Sequence, residues 1–235
     1  MNENILFITI DGLRADKFYG KSKTAKTPFL DSLRKQGTYF KQSISCADGT
    51  TLALNSTFSS LFPFRTGTRA KEVQMNQSNY IHLLKNQGYN IYGLVPNLTS
   101  LARLRFNFKN NVNSFKGTPP EIERLNDGTG QKILDLFTKI KMKEPWFCYL
   151  HPLDLHDPLI IPENFDDDKF GHSKYEKIFS SIDIWLEKIF AHIDKSNTLI
   201  IITADHGSII PEGDLEYSDF EPEFKTELKV GKKLM

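Results

Sequence analysis

Two apolar runs near opposite ends of the chain constrain its fold more than any other feature. Residues 4–10 (NILFITI) and 198–203 (TLIIIT) are unbroken stretches of β-branched, aliphatic and aromatic residues. That is the pattern of strands buried on both faces, which belong in a parallel sheet covered on both sides. Two further runs of the same type, 89–95 (YNIYGLV) and 146–151 (WFCYLH), lie between them. Helical spacing fills the intervals. Thr27-Pro28 predicts a helix over 29–36, with the threonine as cap, the proline in the first turn and Gly37 as the stop. Helices are likewise predicted over 52–61 (ended by Pro63), 78–86 (closed by Gly88), 130–141 and 173–193, the last with one apolar stripe from Ile178 to Ile193. Residues 39–45 alternate well enough for a short strand, whereas 106–120 and 157–171 read as loops. Strand–helix alternation of this kind predicts an α/β domain with a mostly parallel sheet and helices on both faces.

Charge and composition exclude several classes. Thirty Lys and Arg against 29 Asp and Glu leave a net charge of +1, so no global field draws the chain to nucleic acid. No apolar run approaches the roughly 20 residues that a membrane-inserted helix needs. The N-terminal segment has no basic region before its apolar run, and the only cysteines, Cys46 and Cys148, cannot build a disulfide framework. These features predict a cytoplasmic protein. Residues 1–207 read as the core. Residues 208–235 read as a charged tail with no strand to close the sheet, so TLIIIT is expected to leave an open edge. That edge would let the protein self-associate, unless the tail folds back and brings Lys225 or Lys229 to the site.

Four segments could carry chemistry. In open parallel sheets ligands bind beyond the carboxyl ends of the strands. Asp11 ends the first strand, and Asp205-His206-Gly207 follows the last. Carboxylates and an imidazole at one sheet edge suit a divalent cation of the Mn²⁺ or Zn²⁺ type, with Ca²⁺ or Mg²⁺ favoured by an all-oxygen set. Taken singly, an aspartate after a strand is more often a turn or cap residue. Thr50 and Thr51 stand directly before a helical run. A hydroxyl at a helix N-terminus becomes a nucleophile if a metal lowers its pKa, although the segment by itself favours simple capping. The fourth segment, HPLDLHDP at 151–158, packs His151, Asp154, His156 and Asp157 behind a strand. Such a cluster can bind a second metal, protonate a leaving group, hold a substrate oxyanion or serve turn chemistry.

Taken in order, these segments resemble the sulfatase family of the alkaline phosphatase superfamily. NILFITIDGLRAD is similar to the family's opening strand and metal-binding aspartate. TPFLDSLRKQGTYF is similar to its Thr-Pro-x-Leu-Asp-x-Leu-x-x-x-Gly-x-x-Phe stretch, FCYLHPLDLHDPL to its Phe-x-x-x-His-x-x-Asp-x-His-x-Pro-Tyr segment, and TLIIITADHG to its later metal strand. The resemblance implies an alkaline-phosphatase-like core, here without the smaller C-terminal antiparallel subdomain. Counting back from Pro63-Phe64-Arg65-Thr66-Gly67 puts Thr50 at the nucleophile, with Leu52-Ala53-Leu54 where the family has Pro-Ser-Arg. Threonine cannot become the formylglycine of true sulfatases, so the resemblance is to the phosphonate hydrolase and the phosphoglycerol or phosphoethanolamine transferase branches.

It implies one divalent metal, Mn²⁺ or Zn²⁺ first, held by Asp11, Thr50, Asp205 and His206. Thr50 and His156 would be catalytic, and His151 and Lys225 would contact a small anionic ester substrate. The expected activity is cleavage or transfer of a phosphate, phosphonate or sulfate ester. A second reading is a degenerate or truncated member that binds an anionic ligand or a partner without turnover. A third, a nucleotide- or effector-binding domain, is weakened because no Gly-x-Gly-x-x-Gly or Walker-type loop occurs.

Overall fold

A computed structural model describes residues 3–76 and 79–208. Among these residues there are eight α-helices, α1 (Ala15–Phe18), α2 (Pro28–Gln36), α3 (Thr50–Ser59), α4 (Pro63–Thr66), α5 (Tyr80–Asn86), α6 (Ala102–Arg105), α7 (Thr129–Thr138) and α8 (Lys174–Phe190). The four strands among them are β1 (Asn4–Ile10), β2 (Asn90–Leu94), β3 (Trp146–Leu150) and β4 (Thr198–Ala204). They form one sheet in the order β2-β3-β1-β4, and every pairing is parallel. The period of two divides the side chains cleanly. Leu6, Ile8 and Ile10 of β1, with Cys148 and Leu150 of β3, pack on one face against α2, α7 and α8. Phe7, Phe147 and Tyr149 point to the other face and pack against Leu54 and Phe58 of α3 and Ile81 of α5. The expected α/β architecture with helices on both faces is therefore present.

Register determines what meets at the carboxyl edge. Ile10 of β1 pairs with Ala204 of β4, so Asp11 and Asp205 leave the sheet side by side. Ile8 pairs with Leu150 of β3, so His151 emerges beside β1 on its other flank.

The sequence expectations need three corrections. Residues 39–45 form turns and coil rather than a strand, with Phe40 and Ile44 exposed. Alternation there is too short to gain a sheet neighbour. β4 is not buried on both faces. Among the described residues it lies at the sheet edge, and although Ile200 and Ile202 face the core, Leu199 and Ile201 on the opposite face are 49% and 39% exposed. Thr27 stands at the N-cap of α2 without a side-chain bond to the helix. That role falls to Asp183 of α8, whose carboxylate accepts from the N–H groups of Phe29 (3.1 Å) and Leu30 (2.7 Å). The predicted start of the fifth helix at Ser78 falls outside the described residues, and Asn79 caps that helix by accepting from Ile81 N–H at 3.0 Å. Lys225, Lys229 and the rest of the tail from 209 onward also lie outside the described residues.

Candidate metal and nucleophile site

The site forms where three strand ends and one helix N-terminus converge. Asp11 continues β1, and its backbone N–H donates to Pro152 O at 3.2 Å. Gly12 turns the chain with φ of +67°, a conformation that costs glycine little, and donates its N–H to Asp205 Oδ1 at 3.2 Å. The same Oδ1 accepts from His206 N–H at 2.9 Å. One carboxylate oxygen of Asp205 is thus spent on holding two backbone segments together, and the other, Oδ2, is aimed elsewhere.

Thr50 arrives from α3. The N-cap is Gly49, no side chain caps this helix end, and Thr50 occupies the first helical position. Its hydroxyl faces the strand ends: Thr50 Oγ1 donates to Asp11 Oδ2 at 3.0 Å and lies 3.1 Å from His206 Nε2. The capping role that the segment by itself favoured is therefore not what the Thr50 side chain does. Neither Thr51 nor Cys46 makes these contacts. Cys46 is half-buried and free, while Thr51 lines the adjoining cleft.

The ring of His206 is assigned by its partners. Nδ1 lies 2.6 Å from Gly207 O, and a carbonyl only accepts, so Nδ1 carries the hydrogen. In the neutral ring Nε2 then holds a lone pair. It faces Thr50 Oγ1 and, at 3.4 Å, Asp205 Oδ2, which is buried and has no hydrogen-bond partner. On the far side His151 Nε2 is 3.3 Å from Asp11 Oδ2, and its Nδ1 is 2.9 Å from the Tyr149 hydroxyl. Ligand atoms of Asp11, His151 and Asp205 all lie within 4.8 Å of one another, and all three residues are buried.

Electrostatics follow from this crowding. Burial pushes the Asp11 carboxyl upward, but the hydrogen bond and charge of His151 and the charges of His156 and His206 outweigh it and hold the group below its ordinary value. Burial disfavours the charged His151 ring, yet its bond to Asp11 and the charges of Asp205 and Asp11 keep its pKa above the usual histidine value. The cluster therefore demands positive charge. Thr50 and His151 both turn their hydrogens toward Asp11 Oδ2, while Asp205 Oδ2 and the lone pair of His206 Nε2 are left as acceptors without a donor of their own. A divalent cation fits this donor set, because it satisfies oxygen and imidazole lone pairs together.

A cleft of about 320 Å³ opens from this point, lined by Asp11, Asp48, Thr50, Thr51, His151 and His156 together with Leu52, Leu98, Leu101 and Leu153. His156 is exposed at its wall and bonded through Nδ1 to Asp157 O at 2.7 Å. Asp154, from the same segment, turns away from the cleft. It is buried, accepts from Leu125 N–H at 3.0 Å, and burial pushes its pKa to about 7. Arg124 braces the same loop from outside, donating to Ile122 O at 3.0 Å and Pro158 O at 2.6 Å. Arg14 is held by Asp16 at 2.9 Å and takes no part in the cleft. The sequence reading allowed a metal, a leaving group or an oxyanion for the segment of His151, and the resemblance implied a substrate contact; the fold brings its ring beside Asp11 and Asp205. Its position directly after β3 was the signal, since that strand turns out to neighbour β1.

An all-parallel sheet with helices on both faces and this edge is an alkaline-phosphatase-like α/β domain. The chain belongs to the sulfatase family, whose pattern matches residues 3–228. It is 26% identical over 212 residues to an uncharacterized protein of Haemophilus influenzae, covering 87% of this chain and 31% of that one. Among solved structures it is similar to a protein in the alkaline phosphatase superfamily from Vibrio parahaemolyticus (TM-score 0.65, 20% identity, 92% of this chain and 57% of that one). It is also similar to the C-terminal periplasmic domain of EcEptC from Escherichia coli in complex with Zn (TM-score 0.59, 14% identity, 88% and 64%). The chain thus spans about three-fifths of those two structures and about a third of the Haemophilus protein. Among the described residues no helix is long and apolar enough to cross a membrane.

Proposed function

We propose that this chain carries the catalytic core of a metal-dependent hydrolase or transferase that cleaves an anionic phosphate, phosphonate or sulfate ester, with Thr50 as nucleophile. The carrying observation is the Thr50 hydroxyl, turned from its helix end to lie 3.0 Å from Asp11 Oδ2 and 3.1 Å from His206 Nε2. Asp11, Thr50, Asp205 and His206 would hold the cation. A divalent cation bound there lowers the pKa of a hydroxyl and offsets charge on the ester's oxygens. Mn²⁺ or Zn²⁺ suits the mixed oxygen and nitrogen set, and the zinc bound by the Escherichia coli domain supports the choice.

In this reading the Thr50 hydroxyl, acidified at the site, gives up its proton to solvent, and Oγ1 attacks phosphorus or sulfur in line while the bond to the leaving oxygen breaks. His156, exposed at the cleft wall, hands that oxygen a proton. Water then cleaves the threonyl ester in a hydrolase, or an acceptor alcohol takes the group in a transferase. Lys225 remains the proposed anion contact from the tail. Two free cysteines accord with a cytoplasmic setting.

One observation favours the alternative of binding without turnover. In the stretch where the family has Pro-Ser-Arg, Ala53 and Leu54 are buried, and Leu54 belongs to the sheet-facing cluster with Phe58 and Phe7. Leu52, the remaining residue of that stretch, lines the cleft but is apolar, so none of the three offers an anion contact.

The test is turnover of an aryl phosphodiester, an aryl phosphonate monoester and an aryl sulfate by Mn²⁺- or Zn²⁺-loaded protein. Thr50→Ala should lower turnover by about 10³-fold or more, as loss of a covalent nucleophile does. Full activity in that variant would sink the nucleophile assignment. Metal binding with no turnover of any ester would support the binding-only alternative.

A further inference from the structure

We propose that His151 is itself a ligand of the metal, through Nε2, and that Tyr149 is the positioning residue that keeps this nitrogen available. The proposal rests on the metal-site reading above and adds a second imidazole to it.

The argument begins with placement. β3 lies between β2 and β1, and the N–H of His151 donates to Leu94 O at 3.2 Å, extending the ladder one step past the strand. Backbone bonding therefore fixes where the ring leaves the sheet. Its Nε2 stands 3.3 Å from Asp11 Oδ2, and the donor atoms of Asp11, His151 and Asp205 lie within 4.8 Å of one another. Ligands about 2.0–2.2 Å from one ion stand roughly 3–4 Å apart, so small side-chain adjustments bring these three around a single centre.

The second nitrogen supports the same conclusion. Nδ1 is 2.9 Å from the Tyr149 hydroxyl, and both residues are buried. A phenol oxygen can accept a hydrogen from Nδ1, so a cation that takes the place of the Nε2 hydrogen now facing Asp11 Oδ2 would meet the Nε2 lone pair. His206 shows the same division of labour, with Nδ1 bonded to Gly207 O and Nε2 turned inward. Ligating histidines characteristically donate their other N–H in this way, and the outer partner orients the ring.

Burial separates the two histidines of the 151–158 segment. His151 is 1% exposed and walled in by the sheet, whereas His156 is exposed at the cleft. The accessible ring suits the ester and its leaving oxygen, and the inaccessible one suits the ion. Two imidazoles with carboxylates and a hydroxyl also favour Zn²⁺ or Mn²⁺ over Ca²⁺ or Mg²⁺.

X-ray absorption on the Zn²⁺-loaded full chain, with calorimetric titration of Zn²⁺, tests this. Two imidazoles per zinc are expected in the wild type, falling to one in His151→Gln and one in His206→Gln. Tyr149→Phe should weaken Zn²⁺ binding about 10- to 100-fold. A single imidazole in the wild type would overturn the role of His151 while leaving the metal site standing, and it does not depend on any variant folding. Unchanged affinity in Tyr149→Phe would overturn the role of Tyr149. No Zn²⁺ binding at all would overturn the metal-site reading itself, and this proposal with it.

Discussion

Asp205→Asn should separate stability from metal binding in a way that exposes the design of the site. In the metal-free protein the Asp205 carboxylate does two things. Oδ1 accepts from Gly12 N–H and His206 N–H, and Oδ2 sits buried without a donor, 3.4 Å from His206 Nε2. An asparagine keeps the oxygen that accepts both backbone bonds. It replaces the orphaned oxygen with an N–H donor facing a lone pair, and it removes one of two buried negative charges beside Asp11. Satisfying a buried unpaired polar atom is worth about 1–3 kcal/mol. At roughly 2–4 °C per kcal/mol for a chain of this size, metal-free Asp205→Asn should melt some 2–12 °C above the wild type.

The metal reverses the order. Zn²⁺ at 100 times its Kd stabilises the wild type by about 2.7 kcal/mol, or roughly 5–11 °C on the same scale. The variant, having lost a charged ligand, should show little of that gain. Differential scanning calorimetry with chelator and then with Zn²⁺ reads both effects. A variant that melts below the wild type without metal would refute the claim that Oδ2 is an unsatisfied acceptor. One that keeps the full Zn²⁺ shift would refute its role as a ligand.

Other outcomes follow from the remaining geometry. Burial holds Asp154 protonated up to about pH 7 in the folded protein, against an ordinary value near 3.8. The folded state therefore binds this proton more tightly than the unfolded one. Stability should fall as pH rises from about 4 to 7, by at most roughly 4 kcal/mol at 1.36 kcal/mol per pH unit. Melts from pH 4 to 8 should be flatter for Asp154→Asn, and an equal slope in both proteins would count against the effect. Asp183→Ala strips the N–H groups of Phe29 and Leu30 of their acceptor, at a cost of about 1–3 kcal/mol in urea denaturation. A loss under 0.5 kcal/mol would show that water takes over the cap. Leu199 and Ile201 on the edge strand are expected to drive self-association. Sedimentation should then show oligomers that Ile201→Lys converts to monomers, and a wild-type monomer at all concentrations would dispose of that idea.

The sequence by itself determined the four paired strands, the order of layers and the place of Asp11 and Asp205 at the carboxyl edge. Runs such as NILFITI and TLIIIT are apolar enough to mark strands of a parallel sheet, and a residue directly after such a strand surfaces at the carboxyl edge. Asp11 and Asp205 were legible for that reason. Thr50 became a candidate only because its motif stands in a known order with the others, since a threonine before a helix is ordinarily a cap. Tertiary structure decided everything that depends on which strands are neighbours. Local sequence carries no information on strand order, so β4 read as fully buried although it is an edge strand among the described residues, and only the pairing of β3 with β1 put His151 beside Asp11. Asp183, 153 positions from Leu30, replaced Thr27 as the cap of α2 for the same reason. A partner across the fold reaches those N–H groups only once α2 and α8 have packed together, and that packing free energy is not written in either segment alone.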